Sequence, residues 1–234
     1  MLLYIVRHGE PDYATDTLLE RGRLQAEAVG KRMFDAKIDR IFSSPMGRAK
    51  ETAMPACKLL GIDYTVEEWA HEIGDEKSTP YPDGIMKSIS ALPSTDFRKD
   101  GNIYLSYEDT YKCTGINETD MRSSVEYIER EGNAFLERLG YKEENGVYRI
   151  LYPNEEKVAL FCHTAFERAW LSTLLHIPLH IVWASFQITH TAVTVIEFKN
   201  YDSGYTAPRC LCLSDMSHLY KYGPDMTYEN RIIL

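Results

Sequence analysis

The sequence lacks any apolar run long enough to cross a lipid bilayer. Its longest apolar stretches, residues 158–162 and 177–186, fall well short of the roughly 20 residues that a membrane-spanning helix needs. It also lacks any block of five or six basic residues, and its formal net charge is −9. Because an acidic chain repels polyanions at long range, we expect neither a nucleic acid nor a membrane as a partner.

Cysteine is scarce and irregularly spaced. There are five, an odd number with no disulfide framework, and residues 1–6 show neither the charged segment nor the cleavage site of a secretory signal. We therefore expect a reduced, cytoplasmic protein. With 44% hydrophobic and 26% charged residues, the composition excludes disorder and collagen-like repeats. The length of 234 residues favours one domain that carries a sizeable insertion.

Apolar runs alternate with amphipathic segments along most of the chain. Strands are predicted at residues 2–6, 38–44, 64–69, 157–163, 191–198 and 205–213, and helices at residues 17–37, 46–60, 121–139 and 165–175. Pro55 is expected to bend or shorten the second of these helices. The alternation indicates an α/β fold, a three-layer α/β/α sandwich with a mainly parallel central sheet.

The stretch from residue 73 to about residue 120 interrupts this pattern. Its hydrophobic periodicity is lost, and prolines, glycines and mixed charges dominate it. We interpret it as an insertion or lid, outside the core, on a single domain that covers residues 1–234. If this insertion covers a binding site, cations that face the site would favour a substrate with an anionic group beyond the one that reacts. The candidates are Lys77, Lys87, Arg98, Lys99 and Lys112.

Two of the predicted strands each end in a histidine, His8 and His163. Open α/β sheets bind ligands at the carboxyl ends of their strands, so we expect the two histidines to share one crevice. Arg7 precedes the first histidine, and Arg48 lies just inside the helix after the second strand. Two guanidinium groups repel a metal ion and suit phosphate oxygens, so the set favours a phosphoryl site without a metal. A metal site and purely structural histidines are the alternatives.

Five segments, in order along the chain, resemble the histidine phosphatase superfamily in its smaller, phosphoglycerate mutase-like branch. They are residues 7–10 (Arg-His-Gly-Glu), residues 18–26, residues 43–53 with the second arginine, residues 161–163 with the second histidine, and residues 191–198. The first segment is a short pattern by itself, whereas all five in sequence are specific. They are distributed along the chain from end to end, and none lies in residues 73–120.

The resemblance implies a metal-independent phosphatase that hydrolyses a small phosphorylated metabolite and needs no cofactor. His8 would be the nucleophile that forms a phosphohistidine. Arg7, Arg48 and His163 would hold the phosphoryl oxygens. Thr164, directly after the second histidine, would offer a further phosphate contact where the family commonly has glycine.

The resemblance assigns proton donation to the leaving group to a carboxylic acid after the third strand. Glu72 fits that position, and Glu67, Glu68 and Asp75 are neighbouring alternatives. The paired-arginine segment of phosphoglycerate mutases is not found, which favours hydrolysis. A mutase-type transfer and a non-catalytic phosphate-binding protein stay open, and no oligomeric state is assigned. His190 precedes the late strand and is within reach of the crevice, but a capping or structural role is favoured for it.

Overall fold

The computed structural model describes residues 1–73, 79–80, 86–87, 89, 92–117 and 119–224. Its strands are β1 (Leu2–Arg7), β2 (Pro11–Asp12), β3 (Thr17–Leu18), β4 (Arg40–Ser43), β5 (Tyr64–Val66), β6 (Thr79–Pro80), β7 (Met86–Lys87), β8 (Tyr141–Glu144), β9 (Val147–Ile150), β10 (Lys157–Cys162), β11 (Val193–Glu197), β12 (Tyr205–Thr206) and β13 (Arg209–Asp215). Its helices are α1 (Glu20–Ala36), α2 (Gly47–Leu60), α3 (Met121–Arg138), α4 (Thr164–Leu175), α5 (Leu179–Ser185) and α6 (Ser217–Tyr222). Within these ranges, no helix is long and apolar enough to cross a lipid bilayer.

A six-stranded sheet in the order β13-β11-β1-β10-β4-β5 forms the centre of the fold. Its last four strands are parallel, whereas β11 pairs antiparallel with both β1 and β13. Successive side chains of β1 point to opposite faces of the sheet. Leu3 and Ile5 pack in the hydrophobic cluster that includes α3 and α4. Val6 packs in the cluster that includes α1 and α2. The predicted α/β/α sandwich with a mainly parallel sheet is confirmed.

Helices α1 and α2 pack together on one face of this sheet. Gly30 of α1 permits the close contact, since a Cβ there would come within 2.9 Å of the Cβ of Pro55. Helix α2 continues through Pro55 to Leu60, so this proline does not shorten the helix, and the alternative that it bends the helix stays a prediction. A proline inside a helix removes one N–H donor, and the packing against α1 offsets that loss here.

Several elements differ from the sequence prediction. Helix α1 begins at Glu20 because Thr17–Leu18 pairs with Pro11–Asp12 in a short ribbon. The predicted strand at residues 205–213 is two strands, β12 and β13, which belong to different sheets. Pro208 lies between them and has no N–H to donate to a ladder. Strands β8 and β9, which form a second sheet with β12, and helices α5 and α6 are absent from the prediction.

Part of the segment 73–120 belongs to the main core. Its apolar side chains that pack in the cluster with α3 and α4 are Ile89, Leu92, Phe97, Cys113 and Ile116. The expectation that the whole segment lies outside the core is therefore wrong. These residues lie in turns and short 3-10 helices, so no strand or helix period marks them in the sequence. A role of the segment as a lid stays a prediction.

Candidate active site

The two strand-end histidines lie side by side at the carboxyl edge of the sheet. Strands β1 and β10 are parallel neighbours in which Arg7 is opposite Cys162. His8 and His163 come next along the chain, and their ring centroids are 5.1 Å apart. Their residues are 1% and 0% exposed. The register of the sheet therefore brings the two histidines side by side.

The His8 ring presents an unprotonated nitrogen to Arg48. Its Nδ1 lies 2.7 Å from the carbonyl oxygen of Gly9, which only accepts, so Nδ1 carries the ring proton. Its Nε2 accepts a hydrogen bond from Nε of Arg48 at 3.3 Å. Burial, and then the neighbouring His163 and the charge of Arg7, hold the pKa of His8 well below its usual value. His8 is therefore neutral at physiological pH.

The turn after His8 requires glycine at position 9. A Cβ on Gly9 would lie 2.6 Å from the backbone oxygen of Gly22, so the two backbones touch here. The Gly9 N–H donates to Oγ1 of Thr52 on α2 at 3.0 Å. These contacts fix the turn, and because Nδ1 of His8 bonds to Gly9, they also fix the direction of the ring.

Arg48 is held by an acidic residue that the sequence analysis did not single out. Its Nη1 donates to Oδ1 of Asp16 at 2.6 Å, and the neighbouring Gly47 N–H donates to Oδ2 at 2.6 Å. Burial by itself raises the pKa of Asp16, but these hydrogen bonds bring it below its usual value. Arg48 is 4% exposed, so the carboxylate fixes its guanidinium while Nε faces His8.

Arg7 is fixed by the loop before β11. Its Nη1 donates to the carbonyl oxygen of Ile188 at 2.6 Å, and its Nη2 lies 3.0 Å from Nε2 of His190. Burial, and then the Arg7 charge, lower the pKa of His190 to about 3, so this nitrogen is unprotonated and accepts. The ring centroids of His190 and His8 are 5.7 Å apart. His190 therefore contacts the site, whereas the sequence favoured a capping or structural role.

His163 meets a serine from the end of β4. Its Nε2 lies 2.7 Å from the Ser44 hydroxyl, and its Nδ1 has no hydrogen-bond partner in the described part of the chain. Burial, and then the charge of Arg48, hold the pKa of His163 well below its usual value. The next residue, Thr164, donates its hydroxyl to the carbonyl oxygen of Ile188 at 3.4 Å. Its side chain is therefore turned toward the loop that also holds the first arginine.

Glu72 binds the first turn of α4, directly after the second histidine. Its Oε1 accepts from the N–H groups of Phe166 at 2.9 Å and Ile73 at 3.1 Å, and Oε2 accepts from Ala165 at 3.4 Å. Burial raises the pKa of Glu72 above its usual value, although these hydrogen bonds oppose the rise. The acid therefore lies next to His163 and holds its proton to a higher pH than an exposed glutamate.

The neighbouring acids are placed differently. Glu67 accepts from Nη2 of Arg138, at 2.6 and 2.7 Å from its two oxygens, and from Nε1 of Trp69 at 2.8 Å. Glu68 is exposed, and Asp75 lies outside the described residues. Of the described acids that follow the third predicted strand, Glu72 is the one that contacts the helix after the second histidine.

The site combines fixed cations with neutral histidines. Both arginines that flank His8 are buried. In the described ranges, no group of three or more His, Cys, Asp or Glu side chains is arranged to hold a metal ion. Guanidinium groups match the oxygens of phosphate. Fold and site together define an α/β protein with two buried arginines and two histidines at the carboxyl edge of its sheet.

Comparison with known proteins relates the first third of the chain to a family. Residues 3–78 match the family model of the histidine phosphatase superfamily, branch 1. A probable phosphatase of Schizosaccharomyces pombe is 38% identical over 68 residues, which cover 25% of this chain and 32% of that protein. The chain thus spans about a third of the length of this curated relative.

Solved structures share the fold over most of the chain. A phosphoserine phosphatase variant of Entamoeba histolytica in complex with phosphoserine has a TM-score of 0.60 at 22% identity, and the match covers 93% of this chain and 98% of that one. The mycobacterial glucosyl-3-phosphoglycerate phosphatase has a TM-score of 0.59 at 17% identity, with 91% and 98% covered. The family match of residues 3–78 agrees with the resemblance seen in the sequence, and the solved structures show that the fold is shared over most of the chain.

Proposed function

We propose that this protein is a metal-independent phosphatase that hydrolyses a small phosphorylated metabolite through a phosphohistidine on His8. The observation that carries the proposal is the contact between His8 and Arg48, in which an unprotonated Nε2 faces a guanidinium Nε at 3.3 Å. Attack on a phosphate anion needs a nucleophilic nitrogen beside a fixed cation. The names of the similar proteins, phosphatases of Schizosaccharomyces pombe and Entamoeba histolytica, support the same reaction class.

In the first step, Nε2 of His8 attacks phosphorus, and the bond between phosphorus and the ester oxygen breaks. Arg7 and Arg48 offset the charge of the phosphoryl oxygens, a task that metal ions perform in many phosphoryl-transfer enzymes. With the Ser44 hydroxyl donating to Nε2 of His163, the proton of that ring is on Nδ1, its unpaired nitrogen among the described residues. His163 then offers one more donor. Removing one such donor typically costs about 100- to 1000-fold in rate.

Glu72 protonates the leaving oxygen in this proposal. Its Oε1 already takes two N–H bonds, whereas Oε2 has only the 3.4 Å contact with Ala165, so the transferable proton is on Oε2. In the second step, water attacks the phosphohistidine and the bond between phosphorus and Nε2 breaks. The Glu72 carboxylate takes the proton from water, and inorganic phosphate leaves with both residues restored.

Rapid quenching with a substrate that carries labelled phosphate tests the proposal. Wild-type protein should hold an acid-labile phosphate on His8. His8→Ala should release no phosphate from p-nitrophenyl phosphate while it keeps the fold, which circular dichroism checks. His176→Asn changes an exposed histidine that follows α4 in the left-handed backbone region, and it is the matched control that should label normally.

Two further measurements can contradict the mechanism: the dependence of turnover on metal ions and the fate of the labelled phosphate. Turnover should be complete in excess chelator. Label on another residue, undiminished turnover by His8→Ala, or a loss in chelator that magnesium restores would contradict the mechanism. Transfer of the label back to an organic product in place of water would identify a mutase-type reaction instead.

A further inference from the structure

A polar cavity lies where the end of α5 meets the segment before β11. Its volume is about 330 Å³, and its lining includes Arg168 of α4, Trp183 and Ser185 of α5, Gln187, and Ser94 from the segment 73–120. This volume is at the lower end of the range typical of small-molecule sites. It accommodates a polar organic group and not only a bare ion.

The Arg168 guanidinium is buried at this cavity beside neutral groups. The residue is 7% exposed, and it donates from Nε to the carbonyl oxygen of Phe186 at 2.8 Å and from Nη2 to Oε1 of Gln187 at 2.9 Å. No carboxylate of the described residues forms a salt bridge with it. Of the five N–H donors of an arginine, these bonds use two. A buried charge without a salt-bridge partner is costly, so an anion in the cavity would stabilise it.

A second donor in the same lining lacks an acceptor. Trp183 is 5% exposed, and its indole N–H has no hydrogen-bond partner in the described part of the chain. The guanidinium carbon of Arg168 lies 5.6 Å from the centroid of this ring. Both side chains can only donate, so the ligand that would satisfy them is an acceptor.

One cation of the segment 73–120 reaches the same place. Nη2 of Arg98 donates to the Ser185 hydroxyl at 2.7 Å, and Ser185 lines the cavity. Lys99 instead pairs with Asp96 at 3.0 Å, and its side chain is 52% exposed. The other expected cations are Lys112, which is exposed and pairs with Asp109, and Lys77 and Lys87, whose side chains lie outside the described residues.

One loop connects the cavity with the proposed phosphate site. Gln187, which accepts from Arg168, is followed by Ile188, whose carbonyl oxygen accepts from Arg7 and from Thr164. Consecutive Cα atoms are about 3.8 Å apart. Thr164 and Arg168 are one turn apart on α4, about 6 Å along the helix axis. A molecule whose phosphate lies at Arg7 and that extends a few bonds further can therefore reach Arg168.

We propose that this cavity binds the carboxylate of a substrate whose phosphoryl group occupies the His8 site. The inference rests on the proposed function and assigns its substrate class, phosphomonoesters with a carboxylate a few bonds from the phosphate. A carboxylate only accepts, which matches a lining whose unsatisfied groups only donate. Its two oxygens also match the planar fork of the Arg168 guanidinium. Arg98, anchored on Ser185, adds positive charge at the rim.

Two phosphate esters that differ by one carboxylate test the proposal. O-phosphoserine and O-phosphoethanolamine share the ester and ammonium groups, and only the first has a carboxylate. In calorimetric titrations of His8→Ala, which lacks the proposed nucleophile, phosphoserine should bind at least about tenfold more tightly. Adding Arg168→Gln or Arg98→Ala should each reduce that ratio at least about threefold. Adding Arg130→Gln, which changes an exposed arginine of α3, should preserve it.

The outcomes separate this inference from the proposed function. Arg98 is exposed, so Arg98→Ala provides the test where Arg168→Gln proves unstable in thermal unfolding. A ratio near one in His8→Ala, or a ratio that survives both substitutions, overturns the carboxylate assignment. Turnover of p-nitrophenyl phosphate, which has no carboxylate, reports on the proposed function alone. Its absence in the wild-type chain overturns that function, while the binding ratio still decides the role of the cavity.

Discussion

Nη2 of Arg7 lies 3.0 Å from Nε2 of His190, and this contact ties the first arginine of the site to the loop before β11. An arginine donates and never accepts, so the contact requires an unprotonated Nε2. The lowered pKa of His190, about 3, meets that condition at neutral pH. The carbonyl oxygen of Ile188 holds Nη1, so the guanidinium is fixed at two nitrogens. His190 is thus a positioning residue for Arg7.

Replacing His190 by leucine should release the Arg7 guanidinium and lower kcat/KM for p-nitrophenyl phosphate about 10- to 100-fold, with most of the change in kcat. His190→Gln should recover part of the loss because its amide oxygen can accept in place of Nε2. Steady-state kinetics of both variants, with thermal unfolding beside them, check this. Equal losses in the two variants would mean that the histidine serves packing alone.

Replacing Glu72 by glutamine should slow alkyl phosphates far more than aryl phosphates. The p-nitrophenolate ion leaves without a proton, whereas an alkoxide needs one from the Glu72 carboxyl. We expect a loss of about 100-fold or more on an alkyl phosphate and of less than about tenfold on p-nitrophenyl phosphate. The values of kcat on the two esters measure the difference. Equal losses of kcat on the two esters would mean that another residue donates the proton, and Asp75 is the next candidate.

The direction of two pKa shifts predicts the pH dependence of turnover. The pKa of Glu72 is raised by burial, and its protonated form is the active one, so turnover of an alkyl phosphate should fall as pH rises through that pKa. The pKa of His8 is lowered well below its usual value, so protonation of the nucleophile should not limit turnover in the range where an exposed histidine titrates. p-Nitrophenyl phosphate should lack the alkaline fall. The same alkaline fall for both esters would contradict the assignment of Glu72.

His218 should make the free energy of unfolding depend on acid pH. It is 2% exposed, and burial followed by the charge of Arg32 lowers its pKa to about 3. The unfolded chain takes up the proton near pH 6.5, so stability is lost as pH falls from about 6.5 toward 3, by up to about 1.4 kcal/mol per pH unit. Urea unfolding between about pH 7 and pH 5 should show a shallower dependence for His218→Asn. An unchanged slope would show that this histidine is not the group that titrates.

The central sheet and the principal side chains of the site follow from local sequence. Apolar runs between amphipathic segments predict strands that are covered on both faces. Parallel neighbours end at the same edge of a sheet, so side chains that follow two such strands are expected to meet. Arg7, His8 and His163 are recognised in this way, and the helix after the second strand adds Arg48.

The partners of these residues were decided only by the tertiary structure. Asp16 meets Arg48 across 32 positions of the chain, and His190 meets Arg7 across 183. The cavity at Arg168 likewise joins α4 to α5 and to the segment 73–120. A hydrophobic period reports which face of a regular helix or strand is buried, but a loop has no such repeating face. The contacts made by loop residues therefore depend on how the whole chain packs, which no local pattern records.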